Sequence, residues 1–194
     1  MAMYLIGIDE AGRGPLAGPV AVGVARVVAG YDILAAFPGL NDSKKLTEKK
    51  RDALFEILQQ EVAAGHVRVR VCLSSEKVID EKGIAYAIRS ALARGLEALL
   101  PNPNEGKVLL DGSLKATKEY EQETIIGGDG KEPVIMLAAL AAKVTRDRLM
   151  VKLAKEYPQY GFEGHKGYGT KAHMAAIREH GISMVHRKSF IHID

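Results

Sequence analysis

Two adjacent acidic residues, Asp9 and Glu10, lie where a short apolar segment (residues 4–8) meets a glycine-rich one. The apolar segment predicts a buried strand, and the Gly-Arg-Gly sequence at 12–14 predicts a turn whose backbone another molecule can approach closely. Two neighbouring carboxylates repel each other unless a cation lies between them, so they contribute little to packing. The pattern indicates a site for a metal ion and a phosphate group.

Two further acidic residues suit the same chemistry. Asp111 ends an apolar strand predicted over 107–110 and precedes a glycine, although a turn aspartate has the same setting. Groups at neighbouring strand ends of an open α/β sheet meet in one site, so Asp111 can face the first pair. Asp147 lies one helical turn after Lys143, which is also the spacing of a surface ion pair.

Four carboxylates without a convincing nucleophile indicate metal-assisted hydrolysis. Mg²⁺ takes oxygen ligands and keeps several waters, so a few carboxylates are enough to hold it. Two such ions about 4 Å apart can hold an attacking water and a leaving oxygen in line across a phosphodiester. The predicted chemistry is therefore the hydrolysis of a nucleic-acid strand.

Composition narrows the class of protein. The chain has 194 residues, which suits one domain, and its net charge of +3 permits a polyanionic partner without requiring one. Its one cysteine, Cys72, excludes an internal disulfide framework and fits a reducing compartment. No apolar stretch approaches the roughly 20 residues of a membrane span, and nothing at the N-terminus resembles a signal peptide. We expect a cytoplasmic protein with no membrane partner.

The elements that must position these residues alternate between strands and helices. Apolar runs predict strands over 3–8, 20–28, 66–73, 107–110 and 123–126, and a glycine-rich loop over 127–130. Helical spacing of apolar residues predicts helices over 47–65, 84–99, 134–155 and 170–181. Alternation over 66–73 predicts Leu73 on the inner face and Cys72 on the outer face. We expect one compact α/β domain with mixed strand directions, with a core over 1–155 and a C-terminal helical extension over 156–194.

Two other kinds of site are disfavoured by spacing. Five of the six histidines follow Gly164, but no pair has tight ligand spacing with cysteine, so we do not expect a zinc site. The glycines at 12, 14 and 18 are spaced one residue too widely for a dinucleotide-binding fingerprint, and two acids precede them.

Six blocks of this sequence resemble the signature of the ribonuclease HII family, in the family's order. They are GIDEAGRGPLAGPV at 7–20, DSK at 42–44, LDG at 110–112, AKVTRD at 142–147, GHKGYGT at 164–170 and HRKSF at 186–190. The resemblance implies a ribonuclease H-like fold. That fold is a five-stranded mixed sheet, its first three strands antiparallel, flanked by helices and followed by a C-terminal helical lobe.

The resemblance also implies an activity. The family's enzymes are endonucleases that cut the RNA strand of RNA–DNA hybrids and incise duplex DNA on the 5′ side of a single embedded ribonucleotide. They leave 3′-OH and 5′-phosphate ends and use a divalent metal, Mg²⁺ or Mn²⁺. We expect a monomer with no obligate protein partner, and no sliding-clamp-docking peptide after Phe190.

Residue roles follow from the same resemblance. The metal-binding acids are expected to be Asp9, Glu10, Asp111 and Asp147. The substrate-binding residues are expected to be Gly12, Arg13, Gly14, Lys44, Lys143 and Tyr168. Only glycine lets the backbone come close enough to hydrogen-bond a ribose 2′-OH, and an arginine adds charge-assisted contacts to the adjoining phosphate. The tyrosine is expected to pack on the sugar next to the scissile phosphate, although an aromatic plug in a glycine-rich loop has the same pattern.

The chain departs from the family pattern at two places. Ala139 stands where a serine is usual, and Arg187-Lys188 stands where two arginines are commoner, which still leaves a cation for phosphate. Two rival hypotheses remain. The sister family, ribonuclease HIII, usually has an extra N-terminal domain and a lysine in place of Arg13. A non-catalytic hybrid-binding module predicts the loss of one or more acids, and all four are present.

Overall fold

The computed structural model describes residues 3–192 and contains one five-stranded mixed sheet. The strands are β1 Tyr4–Ala11, β2 Val20–Val28, β3 Val67–Ser74, β4 Gly106–Asp111 and β5 Glu121–Ile125. Their order across the sheet is β3-β2-β1-β4-β5. β1, β2 and β3 pair antiparallel, whereas β4 is parallel to β1 and β5 is parallel to β4. The predicted fold class is confirmed, including the antiparallel first three strands.

Seven helices of the described chain surround this sheet. They are α1 Ile33–Ala36, α2 Glu48–Ala63, α3 Glu76–Lys82, α4 Ile84–Leu99, α5 Pro133–Glu156, α6 Phe162–His165 and α7 Lys171–His180. The sequence analysis missed α1, α3 and α6, which are too short to show an apolar period. α3 begins after Ser75, whose hydroxyl accepts the N–H of Val78, and Gly83 (φ +80°) separates it from α4.

Each face of the sheet is covered by a helix layer. α4 packs on one face through a cluster that includes Ile88, Leu92 and Leu96, together with Ile6 and Ile8 of β1. The other face meets α5 and α2, whose apolar residues form a second cluster. Residues 134–142 of α5 are all buried, so the first part of this helix runs through the interior, whereas its second half reaches the surface. No helix among residues 3–192 has both the length and the apolar character needed to span a bilayer.

The outer strand β3 differs from the sequence prediction. Leu73 is 39% exposed and Cys72 is 7% exposed, the reverse of the expected faces. The alternation predicted one covered face, but helices cover both faces of β3. Cys72 packs in the same cluster as α4, where Gly95 allows a close approach to β2 and β3.

The C-terminal segment packs against the loop that joins β1 to β2. α5 ends at Glu156, and a third apolar cluster then joins Met150 of α5 to Phe162 and Ile177. The N–H of Leu16 donates to the carbonyl of Gly167, and the N–H of Arg187 donates to the carbonyl of Leu16. The division into a core over 1–155 and an extension over 156–194 stays a prediction.

Candidate active site

The register of the sheet places Asp9 and Asp111 side by side. β1 and β4 run parallel with Ile8 opposite Leu110, so the following residue of each strand points to the same face. That face is the one covered by α5. Gly7 permits the close packing there, because a Cβ at this position would lie 2.2 Å from the carbonyl oxygen of Val134.

A third aspartate, Asp129, completes an acid cluster. Among the described residues, Asp9, Asp111 and Asp129 form the group of possible metal ligands whose carboxylate oxygens all lie within 4.8 Å of one another. A short 3₁₀ turn, Gly128–Gly130, holds Asp129, and its N–H donates to Oδ1 of Asp111 at 3.3 Å.

Sequence reasoning missed Asp129 by treating residues 127–130 only as a loop. The sequence does contain a feature that could have indicated Asp129. Asp129 is flanked by glycines shortly before a long helix, as Asp111 precedes a glycine after a strand. Both settings leave the backbone free to turn a carboxylate inward.

The acid cluster is electrostatically unfavourable without a cation. Asp9 is only 5% exposed, and burial together with the carboxylates of Glu10 and Asp111 raises its pKa to about 8. Burial also raises the pKa of Glu10, against the opposing effect of Arg13. Oxygen donors that are crowded and short of positive charge fit a hard divalent cation such as Mg²⁺ or Mn²⁺.

Glu10 lies beside the cluster rather than within the 4.8 Å group. Successive residues of a strand point to opposite faces, so Glu10 leaves β1 on the side away from Asp9. Its Oε1 accepts a hydrogen bond from Nη1 of Arg13 at 3.1 Å. The arginine side chain is half exposed, so its guanidinium is accessible from the cavity described below.

The two predicted phosphate-binding lysines are each paired with an aspartate. Nζ of Lys44 donates to Oδ2 of Asp129 at 2.8 Å, and its side chain is largely exposed. Nζ of Lys143 lies 3.0 Å from Oδ2 of Asp147, and both side chains are mostly buried. The fourth predicted metal acid, Asp147, therefore lies in an ion pair outside the acid cluster, and its metal-binding role stays a prediction.

These residues meet in one cavity of about 220 Å³, which we call the active-site pocket. Nine of the ten predicted site residues line it, namely Asp9, Glu10, Gly12, Arg13, Gly14, Lys44, Lys143, Asp147 and Tyr168. The tenth, Asp111, adjoins the pocket through Asp9. Ala139 also lines it, so the position where the family usually carries a serine faces the site.

The glycines of the loop over residues 12–19, the glycine loop, are needed for two different reasons. Gly12 has φ +85°, and a Cβ there would lie 1.9 Å from Nε of Arg146, so packing beneath the loop excludes a side chain. Gly14 is exposed, and a Cβ added there would meet no clash but would come into ordinary contact with Cε1 of Tyr168 at 4.0 Å. The exposed backbone at Gly14 thus lies beside the tyrosine ring at the pocket.

Tyr168 is held at the pocket by its backbone. The residue is 44% exposed, whereas its carbonyl accepts a hydrogen bond from Nδ1 of buried His173 at 2.9 Å. Nε2 of His173 in turn lies 3.1 Å from Nε2 of His186. Burial, with His173 nearby, lowers the pKa of His186 to about 4, so the two rings form a neutral hydrogen-bonded pair. The histidines that follow Gly164 include this structural pair, which supports Tyr168.

Arg187, the first cation of the Arg187-Lys188 pair, lies in the interior. It is fully buried and donates to the carbonyls of Gly12, Arg13 and Gly18 at 2.7, 2.9 and 2.8 Å. A guanidinium enclosed in this way is not available to a substrate phosphate. Of the Arg187-Lys188 pair, Lys188 is exposed, so the cation expected for phosphate stays a prediction at that residue.

The sequence of this chain is similar to those of known proteins. The family model described as Ribonuclease HII matches residues 6–193. Ribonuclease HII of Endomicrobium trichonymphae is 48% identical over 185 residues, which cover 95% of this chain and 83% of that protein. Ribonuclease HII of Fusobacterium nucleatum subsp. nucleatum is 48% identical over 192 residues, which cover 96% and 85%.

Solved structures agree with these sequence matches. The crystal structure of ribonuclease H2 from Pyrococcus horikoshii OT3 has a TM-score of 0.78 and 26% identity, and the match covers 96% of this chain and 93% of that one. Bst-RNase HIII in complex with Mn²⁺ shares the fold, with a TM-score of 0.70 and 18% identity over 97% and 67% of the two chains.

Proposed function

Since this chain belongs to the ribonuclease HII family, we propose that it incises duplex DNA on the 5′ side of a single embedded ribonucleotide. Membership makes it a metal-dependent endoribonuclease that cuts the RNA strand of RNA–DNA hybrids. The observation that carries the finer proposal is the active-site pocket, where exposed glycine backbone and an aromatic ring lie beside the acids. We further propose that the products carry 3′-OH and 5′-phosphate ends.

The divalent cations, Mg²⁺ or Mn²⁺, would be held by Asp9, Glu10, Asp111 and Asp129. We assign to Asp129 the role that the family resemblance implied for Asp147, because the Asp129 carboxylate belongs to the acid cluster and that of Asp147 is paired with Lys143. Divalent cations held by these carboxylates would lower the pKa of an attacking water and would neutralise charge on the phosphate and the leaving oxygen. The raised pKa of Asp9 means that this carboxyl must lose a proton as the site becomes active.

Ribose recognition is assigned to the glycine loop. The 2′-OH distinguishes RNA from DNA, and a backbone N–H is a compact donor that can reach it only where no side chain intervenes. Gly14 meets this requirement because it has no side chain and is exposed at the pocket beside Tyr168. Arg13, half exposed, is placed to contact the adjoining phosphate, and exposed Lys44 can do the same.

Tyr168 is assigned to the sugar beside the ribonucleotide. The residue is 44% exposed at the pocket and its backbone is anchored, so its ring can present an apolar face to the substrate. A deoxyribose packs on such a face better than a ribose, because a 2′-OH there would lose its hydration without gaining a partner. This preference favours a junction between a ribonucleotide and DNA.

The test is cleavage of an end-labelled DNA duplex that contains one ribonucleotide. We expect a single cut on its 5′ side with Mg²⁺ or Mn²⁺, and none with EDTA or on the all-DNA duplex. A cut that survives EDTA, or one on the 3′ side, would overturn the proposal. Binding of the duplex without cleavage at saturating metal would instead support the non-catalytic binding module.

A further inference from the structure

Two arginines are buried behind the glycine loop. Arg146 is 1% exposed and Arg187 is fully buried. No carboxylate among residues 3–192 lies within 4.0 Å of either guanidinium. Burial of a charge is unfavourable unless hydrogen bonds compensate for the lost hydration. The hydrogen-bond acceptors of the two guanidinium groups therefore explain how these cations can be buried.

Every hydrogen bond of the two guanidinium groups goes to a backbone carbonyl. Arg187 donates to Gly12, Arg13 and Gly18, as given above. Arg146 donates to the carbonyls of Pro19, Ala17 and Lys166 at 2.9, 3.1 and 3.0 Å. Together they fix the two ends of the glycine loop and connect it to the segment that carries Tyr168.

The direction of these carbonyls determines the direction of two N–H groups. In a planar trans peptide the C=O and the following N–H point in opposite directions. Because the carbonyls of Gly12 and Arg13 point at Arg187, the N–H groups of Arg13 and Gly14 point away from it. Neither N–H donates to another group among the described residues. Both residues line the active-site pocket, so two unused donors are available there.

We propose that Arg187, supported by Arg146, is a positioning residue that determines the enzyme's selectivity for ribose. Its guanidinium holds the 12–13 and 13–14 peptide planes so that their N–H groups face the substrate 2′-OH. A cation on the carbonyl side also polarises each peptide and strengthens the N–H on the other side as a donor. The inference rests on the proposed function, which assigns ribose recognition to this loop.

Arginine is required here for its shape as well as its charge. The planar guanidinium donates in fixed directions and can hold two adjacent carbonyls at once, whereas a lysine ammonium is a point charge on a flexible stem. Arg187→Lys therefore keeps a positive charge and removes the fixed geometry. A matched control is Arg26→Lys, since Arg26 donates to the carbonyl of Leu99 at 2.8 Å and does not line the pocket.

The first test is binding in EDTA to a duplex with one ribonucleotide and to the same duplex made only of DNA. Wild type and Arg26→Lys are expected to prefer the ribonucleotide duplex. Arg187→Lys is expected to lose about tenfold of that preference, the worth of one to two hydrogen bonds. Affinity for the all-DNA duplex should change less than about twofold, because phosphate contacts dominate it. Thermal unfolding of each variant verifies that it is folded.

Two results would overturn the inference. One is an undiminished ribose preference in folded Arg187→Lys, and the other is the absence of any preference in wild type. Failure of the proposed function looks different, since wild type would then not cut on the 5′ side of the ribonucleotide. A wild type that cuts there while Arg187→Lys retains full preference refutes only the positioning role.

A second measurement uses the wild-type protein and needs no variant to fold. In ¹⁵N-resolved NMR spectra, the amides of Arg13 and Gly14 are expected to exchange rapidly with solvent in the free protein. Their resonances should move when the ribonucleotide duplex is added and move less with the all-DNA duplex. Slow exchange in the free protein, or equal shifts with both duplexes, would contradict the proposal.

Discussion

Two groups of buried charged residues lie beside the active-site pocket, and they differ in how fully other groups of the protein pair with them. The acid cluster of Asp9, Asp111 and Asp129 has one ammonium against it, from the largely exposed Lys44. Arg146 and Arg187 have three carbonyl partners each. The arginines, whose hydrogen bonds are all made within the protein, stabilise the fold. The acids, which have too few partners within the protein, are available to bind a ligand. The two groups should therefore respond oppositely to substitution.

The largest expected effect is the loss of activity in Asp111→Asn. We expect cleavage to fall at least about 10³-fold, or about 4 kcal/mol of transition-state stabilisation, because an anionic oxygen donor is lost. Without metal, the same variant should unfold at an equal or higher temperature than wild type, because one carboxylate beside Asp9 becomes neutral. Asp52→Asn is the control, since that exposed acid is paired with Arg148 away from the cluster. A large loss of stability in Asp111→Asn would contradict the comparison.

The second effect is the loss of stability in Arg187→Met. Removal of the guanidinium leaves three carbonyls without donors, which we expect to lower the free energy of unfolding by about 3 kcal/mol or more. Denaturation by urea measures this. Arg148→Met should cost less than about 1 kcal/mol, because that arginine is half exposed in a surface ion pair. An equal decrease in the free energy of unfolding for Arg187→Met and Arg148→Met would show that the buried contacts to carbonyls stabilise the fold no more than a surface ion pair does.

The third effect separates Asp129 from Asp147. Asp129→Asn is expected to slow cleavage about 10²-fold, because its carboxylate belongs to the acid cluster. Asp147→Asn should slow cleavage less than about fivefold, since its charge is already paired with Lys143. Single-turnover rates at saturating Mg²⁺ decide the matter. The reverse order would restore the sequence-based assignment of Asp147 and refute that of Asp129.

The fourth and smallest effect is the pH dependence of stability without metal. The Asp9 carboxyl stays protonated in the folded state up to a pKa of about 8, whereas the unfolded chain releases this proton near 3.8. The folded state therefore binds more protons between these values, and stability falls as pH rises from about 4 to about 8. Urea denaturation at several pH values should show this slope in wild type and a smaller one in Asp9→Asn. Identical slopes would contradict the raised pKa.

The sequence was sufficient to predict most of the sheet and two members of the acid cluster. Apolar runs marked the first four strands, and the strand expected over 123–126 overlaps the polar β5. Asp9 and Asp111 stood out because each ends an apolar run beside glycine-rich sequence. Asp129 could not be assigned by periodicity, since it lies in a 3₁₀ turn whose place beside Asp111 depends on sheet pairing and on α5. Asp147 and Tyr168 were chosen through the family resemblance rather than from local pattern.

The positions of the buried arginines could not be predicted from local sequence. Arg146 and Arg187 contact carbonyls 127 to 175 residues earlier in the chain, apart from the Arg146 contact to Lys166. Nothing beside either arginine distinguishes a buried guanidinium from a surface one. The short helices α1 and α3 were missed for a related reason, because tertiary packing and end caps stabilise helices too short to be stable alone.

The central claim is that the acid cluster is a divalent-cation site, and calorimetric titration with Mn²⁺ at pH 7 tests it most directly. Wild type should bind Mn²⁺ with the release of about one proton, seen as a difference between buffers of unequal ionisation enthalpy, because Asp9 must ionise. Asp111→Asn should bind at least about tenfold more weakly. Unchanged affinity in Asp111→Asn, or binding to wild type without proton release, would contradict the account.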